Sequence, residues 1–284
     1  MNANLEPGLY IVATPIGNLS DLSPRAAATL AGADVIAVED SRVTGKLLNH
    51  IGVKRPMTPY HDHNADAVRP RLIERMASEA VALVSDAGTP LISDPGFKLV
   101  REMAALGLKV TALPGPSAPI MALILSALPT DRFLFLGFLD AKSGARRAEL
   151  EEIVGLRASL IFFETAPRLA AALGDLREVL GNRPAAVARE LTKMFEEVRR
   201  GSLQDLHDHY TQAGPPKGEI VIIVGPPVAG SGPSAESLDE ALRKALEVMR
   251  VKEAAEAVAA ATGFPKRQVY QRALQLKQET GGDV

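Results

Sequence analysis

The sequence predicts an α/β protein of two domains followed by a small helical appendage. Three observations carry that prediction. Short apolar runs with β-branched residues, such as Val81–Val84 and Leu9–Ala13, have the length and composition of strands buried in a parallel sheet. Each gives way to a loop of Gly, Pro and small polar residues and then to a helical stretch, the order of strand–loop–helix units. After Pro226–Ser234, which reads as a linker, only helical patterns remain.

The loop that follows Val81–Val84 organises the chain. Ser85, Asp86, Gly88, Pro90, Asp94, Pro95 and Gly96 are turn-formers packed too densely for a helix or strand, and Phe97–Leu106 then reads as a helix stopped by Gly107. A loop at the carboxyl end of a strand and just before a helix is where open α/β sheets bind ligands. Gly88 lets a ligand approach the backbone, and Asp86 and Asp94 offer carboxylates to an amine, a hydroxyl or a cation.

The remaining elements of the first domain follow in order. Leu9–Ala13 is a strand, and Thr14–Asp21 is a second ligand-type loop. Its Gly17 stands alone, so the spaced glycines of a dinucleotide fingerprint are missing. Ser23 caps and Pro24 opens a helix over Ala26–Ala31. The strand Val35–Val38 ends at Glu39-Asp40-Ser41-Arg42, which is either a site rim or a surface ion pair with an N-cap. His61, Asp62 and His63 lack a third ligand in zinc spacing, so Pro59–Asn64 reads as a substrate-facing polar loop and no metal is expected. Ala65–Ala80 reads as a helix. The strand Lys109–Leu113 runs into Pro114–Ala118, where Ser117 is expected to cap an apolar helix ending near Leu128-Pro129.

The second half reads as a more mixed α/β domain. Its strands are Arg132–Phe138, Ser159–Phe163, Ala185–Ala188 and Gly218–Gly225, with Phe195–Arg200 as a weaker hairpin partner. Helices are expected over Ala145–Gly155, after Pro167, and from the cap Ser202 to Gln212. The tail divides into Leu238–Met249, Val251–Thr262 and Pro265–Gln278, with Gly263 between the last two. Taken alone, the tail reads as a helical cap with solvated charges. The expected boundaries are 1–118, 119–226, a linker at 227–236, and 237–284.

Composition narrows the function classes. The chain has 284 residues, 46% hydrophobic and 23% charged, which is ordinary for a soluble globular protein. Aromatics make up 4% with no Trp, which argues against a stacked aromatic surface for single strands. Net charge is −2, so any nucleic-acid binding must come from local basic patches. With no Cys, disulfides and thiol catalysis are excluded, which suits a reducing, cytoplasmic setting. Neither a basic, apolar leader nor a membrane-spanning run is visible.

Seven stretches in order carry a resemblance: Thr14-Pro-Ile-Gly-Asn-Leu, Glu39-Asp-Ser-Arg, Ser85-Asp-Ala-Gly-Thr-Pro with Asp94-Pro-Gly, Leu113-Pro-Gly-Pro-Ser-Ala, Phe163-Glu-Thr-Ala-Pro-Arg, Arg189-Glu-Leu-Thr-Lys and Lys217-Gly-Glu-Ile. Together they closely resemble the ribosomal RNA small-subunit methyltransferase I family, over nearly the whole chain. Ser41 stands where that family usually has Thr, and Thr165-Ala where it often has bulkier residues. The resemblance implies the two-domain tetrapyrrole-methylase fold with a helix-turn-helix-like tail. It also implies a homodimer and S-adenosylmethionine as donor. The implied reaction is 2′-O-ribose methylation of a cytidine in the decoding region of 16S ribosomal RNA, within the small subunit.

On that resemblance the donor lies in the interdomain cleft, held by Asp86, Ala87, Gly88, Thr89 and Pro90 and by Pro114, Gly115, Pro116, Ser117 and Ala118. Pro15, Gly17, Phe163 and Glu164 complete its site. Gly88→Val is expected to abolish donor binding in a folded protein. Asn18, Asp21, Arg42, His61 and Asn64 are the substrate-side candidates, with Lys266, Arg267 and Arg272 of the tail on RNA phosphate. Glu39, Asp40, Glu164, Arg189 and Lys193 are the catalytic candidates.

A ribose hydroxyl is a poor nucleophile, so a base or a nearby cation is needed, with Asp86 and Glu190 as further candidates. Lys193 has the clearest physical case: its ammonium lowers the cost of charge on the ribose oxygen, with a carboxylate such as Glu39 to orient it. If desolvation depresses its pKa, it can take the proton itself. Two alternatives stay open: a tetrapyrrole-type or protein methyltransferase of the same fold, and a ligand-sensing helix-turn-helix regulator. The pairs Arg146-Arg147 and Arg199-Arg200 favour RNA.

Overall fold

The computed structural model describes residues 5–227, 235–262 and 266–280. The first half runs β1 (Gly8–Val12), α1 (Pro24–Gly32), β2 (Val35–Val38), α2 (Ser41–His50), β3 (Met57–Pro59), α3 (Ala65–Met76), β4 (Ala80–Val84), α4 (Phe97–Ala105) and β5 (Val110–Leu113). Its five strands form one wholly parallel sheet in the order β3-β2-β4-β1-β5. β1, β2 and β4 are buried along their whole length because helices cover both faces, which is why they read as unbroken apolar runs. Tyr10, Val12, Ile36 and Val38 pack on one face with Leu30 and Leu47. Leu9, Ile11, Val35 and Leu83 pack on the other with Leu72, Leu99 and Met103.

Two elements differ from the sequence reading. α3 stops at Met76, four residues early, because Ala80 belongs to β4, where its N–H donates to Asp34 Oδ2 at 2.8 Å and it pairs with Gly8. β3 is absent from the sequence reading: three residues that follow Pro56 and end on Pro59 are too short to show a period, yet they pair with β2.

The second half runs α5 (Ala118–Ser126), β6 (Phe133–Phe138), α6 (Ser143–Glu151), β7 (Ser159–Glu164), α7 (Leu169–Leu180), β8 (Pro184–Arg189), β9 (Glu197–Ser202), α8 (Leu203–Ala213) and β10 (Ile220–Val224). A second sheet, in the order β6-β7-β10-β8-β9, is mixed: β6 and β7 are parallel and the other pairs antiparallel. α5 covers one face through Ala122 and Leu123 against Ile161, Ala186 and Val221. Leu150, Leu173 and Leu206 of α6, α7 and α8 cover the other. β8 and β9 pair as the expected hairpin. Ser202 and Asp205 form a capping box on α8. Ser117 precedes α5 but makes no capping hydrogen bond, which corrects its expected role.

Of Arg146, Arg147, Arg199 and Arg200, the first three meet carboxylates of this half, which weakens the support for RNA binding that the sequence drew from them; Arg200 is exposed. Arg146 Nε and Arg147 Nε both donate to Asp175, each at 2.7 Å, and Arg147 also meets Glu178. Arg199 pairs with Glu197, and Arg200 donates to the Leu125 carbonyl.

The tail forms α9 (Ala235–Leu246), α10 (Val251–Thr262) and α11 (Lys266–Thr280) around a core of Leu238, Leu242, Val258, Val269 and Leu276. The Gly263 break and most of the linker lie outside the described residues. Among the described residues no helix is long and apolar enough to cross a membrane.

Candidate active site

The parallel sheet brings the loops after β1, β2, β4 and β5 to one edge, and hydrogen bonds lock them together. Thr14 and Gly88 exchange reciprocal backbone bonds of 2.9 and 3.0 Å. Thr89 Oγ1 donates to the Pro116 carbonyl at 2.9 Å. The Asp40 N–H donates to Asp86 Oδ1 at 3.0 Å, and the Asp86 N–H to Glu39 Oε2 at 3.3 Å. Gly88 sits at φ +79°, where a β-branched side chain such as Val is strained whatever space it finds. This corrects the expectation that Gly88→Val leaves the fold untouched.

These loops face β6, β7 and β10 of the second half across a cavity of about 570 Å³. Of the predicted residues, Glu39, Asp86, Ala87, Gly88, Thr89, Ser117, Ala118, Phe163 and Glu164 line it. Pro15, Gly17, Pro90, Pro114, Gly115 and Pro116 do not. A Cβ on Gly115 would lie 2.7 Å from Ala13 Cβ, so that glycine serves a close approach of the chain to itself.

Ile92, Ser93, Phe138 and Gly218–Val221 also line the cavity, and so does Asp94, which the sequence offered only as a free carboxylate. The Lys217-Gly-Glu-Ile stretch was the available signal for Gly218 and Glu219. Nothing local marked Phe138, which packs on Phe163 with ring centroids 5.4 Å apart.

The floor is acidic. Burial pushes the Asp94 carboxyl up to about 6, a rise eased by a Ser85 hydrogen bond and reinforced by Glu39, Asp86 and Asp62. Burial also raises Asp86, against the Asp40 N–H. The Arg42 guanidinium instead holds Asp40 down at about 2. Glu164 is buried, with Oε1 accepting from the Thr165 N–H at 2.7 Å and facing Arg168 Nε at 3.1 Å.

Lys193 does not itself line the cavity but is tethered to Glu219, which does. Its Nζ donates to Glu190 Oε1 at 2.9 Å and to Glu219 Oε2 at 3.0 Å. Burial acts to lower its pKa, but the hydrogen bonds it donates to these two carboxylates prevail and the net shift is upward. That corrects two expectations: Lys193 stays an ammonium rather than taking a proton, and its orienting partners are Glu190 and Glu219, not Glu39. Glu190 and Thr192 hold positive φ values of 50° and 64°, so the turn bearing Lys193 is strained. Arg189 Nε is engaged by Glu197 at 2.7 Å.

The substrate-side candidates scatter. Asn18 caps a 3-10 turn, Leu19–Asp21, through a bond from the Ser20 N–H, and Asp21 is exposed. Arg42 is exposed beside Asp40. Asn64 is consumed locally, accepting from the His61 N–H and donating to the Pro59 carbonyl, so it shapes the loop. Lys266 and Arg267 are exposed at the start of α11. Arg272 differs: its Nε donates to Asp239 Oδ1 at 2.7 Å, tying α11 to α9 rather than presenting the charge.

Comparison with known proteins gives the geometry a family. Residues 8–207 match the family of tetrapyrrole (corrin/porphyrin) methylases, and residues 232–277 match the RsmI C-terminal HTH domain. A relative from Mesorhizobium japonicum, the ribosomal RNA small subunit methyltransferase I, is 50% identical over 98% of this chain and 95% of its own. Its namesake from Erythrobacter litoralis is 53% identical over 96% of each. Among solved structures, diphthine synthase aligns with a TM-score of 0.60 at 17% identity, over 76% of this chain and 89% of that one. A uroporphyrin-III C-methyltransferase from Thermus thermophilus, solved in complex with S-adenosyl homocysteine, aligns with a TM-score of 0.54 at 19% identity, over 77% and 97%. The chain therefore belongs to the ribosomal RNA small subunit methyltransferase I family, an α/β tetrapyrrole-methylase fold with a C-terminal helical domain.

Proposed function

We propose that this methyltransferase transfers a methyl group from S-adenosylmethionine to the ribose 2′-hydroxyl of a cytidine in the decoding region of 16S ribosomal RNA. We further propose that it acts in the cytoplasm, as a homodimer, on the small ribosomal subunit. One juxtaposition carries the chemical part of the reading: a cavity floored by carboxylates and small residues, one of whose lining carboxylates, Glu219, tethers the Lys193 ammonium.

The cavity fits the donor. At about 570 Å³ it lies in the size range of cofactor sites. The backbone of Ala87–Thr89 and of Ser117–Ala118 is open to the ligand because these side chains are small. Ile92, Phe138, Phe163 and Val221 supply apolar walls for an adenosine, and Glu39, Asp86 and Asp94 favour a cation between the walls. When bound, the donor supplies an electrophilic methyl on a sulfonium. The protein's share is orientation, water exclusion and charge. Glu219, which lines the cavity, holds Lys193 so that its ammonium stabilises negative charge on an incoming ribose oxygen.

RNA as acceptor is supported by the names of the near-full-length relatives, which are ribosomal RNA methyltransferases. A dimer is supported by Ile120 and Ile124, 39% and 61% exposed one turn apart on α5. Sedimentation of the purified protein tests that assembly. For the reaction, labelled donor is incubated with the protein and small subunits, naked 16S RNA, DNA or a porphyrinogen. Nuclease digestion should yield label in 2′-O-methylcytidine; label in the base, or in the porphyrinogen alone, overturns the reading.

A further inference from the structure

We propose that the outer face of α2 is a phosphate-binding track that leads the RNA backbone to the cavity. The inference rests on the reading of RNA as substrate and adds where the RNA lies.

Residues 41–55 contain Arg42, Lys46, Lys54 and Arg55 and neither Asp nor Glu, in a chain whose net charge is −2. α2 buries Thr44, Leu47 and Leu48. The opposite face therefore carries Arg42 and Lys46 one turn apart, with His50 a further turn on. All three are exposed, Arg42 with 87% of its side chain in solvent, and Lys54 is exposed just beyond the helix. Arg55 is not part of the face, since its guanidinium is bound to the Ala31 carbonyl.

The face is continuous with the site. The N-cap of α2 is Asp40, whose N–H binds Asp86, and the residue before it, Glu39, lines the cavity. Asp40 pairs with Arg42 at the cavity end, but among the described residues no carboxylate pairs with Lys46 or Lys54. Of the other cations that sequence alone suggested for RNA, Arg146, Arg147, Arg199 and Arg272 pair with carboxylates, Arg200 binds the Leu125 carbonyl, and Lys266 and Arg267 are exposed on the tail. The exposed α2 cations thus have what phosphate binding needs: solvent-facing charge that releases counterions on contact.

The test uses the full-length protein with Lys46→Gln/Lys54→Gln, outside the proposed reaction centre. Wild-type methyl transfer to small subunits is measured first; its absence overturns the substrate reading and the track with it. With wild type active, the double variant should raise KM for small subunits and keep kcat at saturating RNA. It should also lower the slope of log RNA affinity against log salt by roughly 1.4–1.8, two contacts' worth. Lys46→Arg/Lys54→Arg should restore both, and donor affinity by calorimetry should match wild type throughout. An unchanged KM and salt slope in an active, folded variant overturns the proposal. So does a variant that loses affinity for intact subunits but binds protein-free RNA normally, since the partner is then a ribosomal protein.

Discussion

Gly17 and Lys193, one from each half of the chain, meet without space for a single added carbon: a Cβ on Gly17 would lie 2.4 Å from Lys193 Cγ. The same Cβ would lie 2.9 Å from Thr192 Oγ1 and 3.0 Å from the Leu191 carbonyl. The loop after β1 is therefore the seat on which the turn bearing Lys193 rests. Gly17→Ala should push that turn away at a cost of about 1–3 kcal/mol. The expected result is a lower kcat with saturating donor and RNA, a lower Tm, and a donor affinity little changed. A variant that loses donor affinity while keeping kcat would return Gly17 to the donor site.

Lys193 itself carries the second prediction. Because Glu190 and Glu219 raise its pKa, it remains charged at neutral pH and acts by stabilising negative charge on the ribose oxygen. Lys193→Met should lower kcat on the order of 10²-fold at saturating RNA, the scale of losing one such donor. A grip on phosphate predicts the opposite split, a raised KM with kcat intact. Wild-type kcat should also show no rise with pH through a depressed lysine pKa, which a lysine base requires.

How much of this was readable beforehand depended on whether the cause was local. The loop after β4 announced itself through turn-formers packed into a few residues, and Asp86–Thr89 do line the cavity. The position of Gly115 was equally visible, but its reason was not: only the fold brings Ala13 against it. Leu91 and Ser93 hold φ values of 74° and 64°, a conformation that neither residue type advertises. The arginine pairs misled because a charge in sequence does not show its partner; Arg146 meets Asp175 across 29 residues. Lys193 failed in the same way, since a pKa is set by neighbours such as Glu219, 26 residues on.

In the tail, Arg272 and the pair Lys266 and Arg267 should separate. Arg272 holds α11 to Asp239 of α9, and its guanidinium lowers the Asp239 pKa. Arg272→Gln should make the tail more susceptible to proteolysis, with no change in the salt slope of RNA binding. Lys266→Gln/Arg267→Gln should leave proteolysis unchanged and flatten the slope if these exposed cations meet phosphate. A flattened slope in Arg272→Gln with an intact tail would show that the Asp239 pair opens on RNA.

Asp94 gives the pH prediction. Its folded pKa of about 6 lies above the unfolded value of about 3.9, so the folded state binds more protons between the two. The stability contribution is therefore present below about pH 4 and lost as pH rises through 6. Asp94→Asn should flatten that decline in denaturant titrations and make the protein more stable than wild type at pH 7. Function should run the other way. The groups facing Asp94 are Glu39, Asp86 and Asp62, all acidic, with the Ser85 side chain beside it. Protonating Asp94 thus removes negative charge from the cavity floor where a cationic donor is proposed to sit. Wild-type donor affinity should fall as pH drops below 6, whereas the Asn variant should bind more weakly at pH 7 and lose the step. If the step survives in Asp94→Asn, the titrating group is a neighbour. Asp86, also raised by burial, is then the next carboxyl to replace, because it shares the floor and accepts a hydrogen bond from the N-cap of α2.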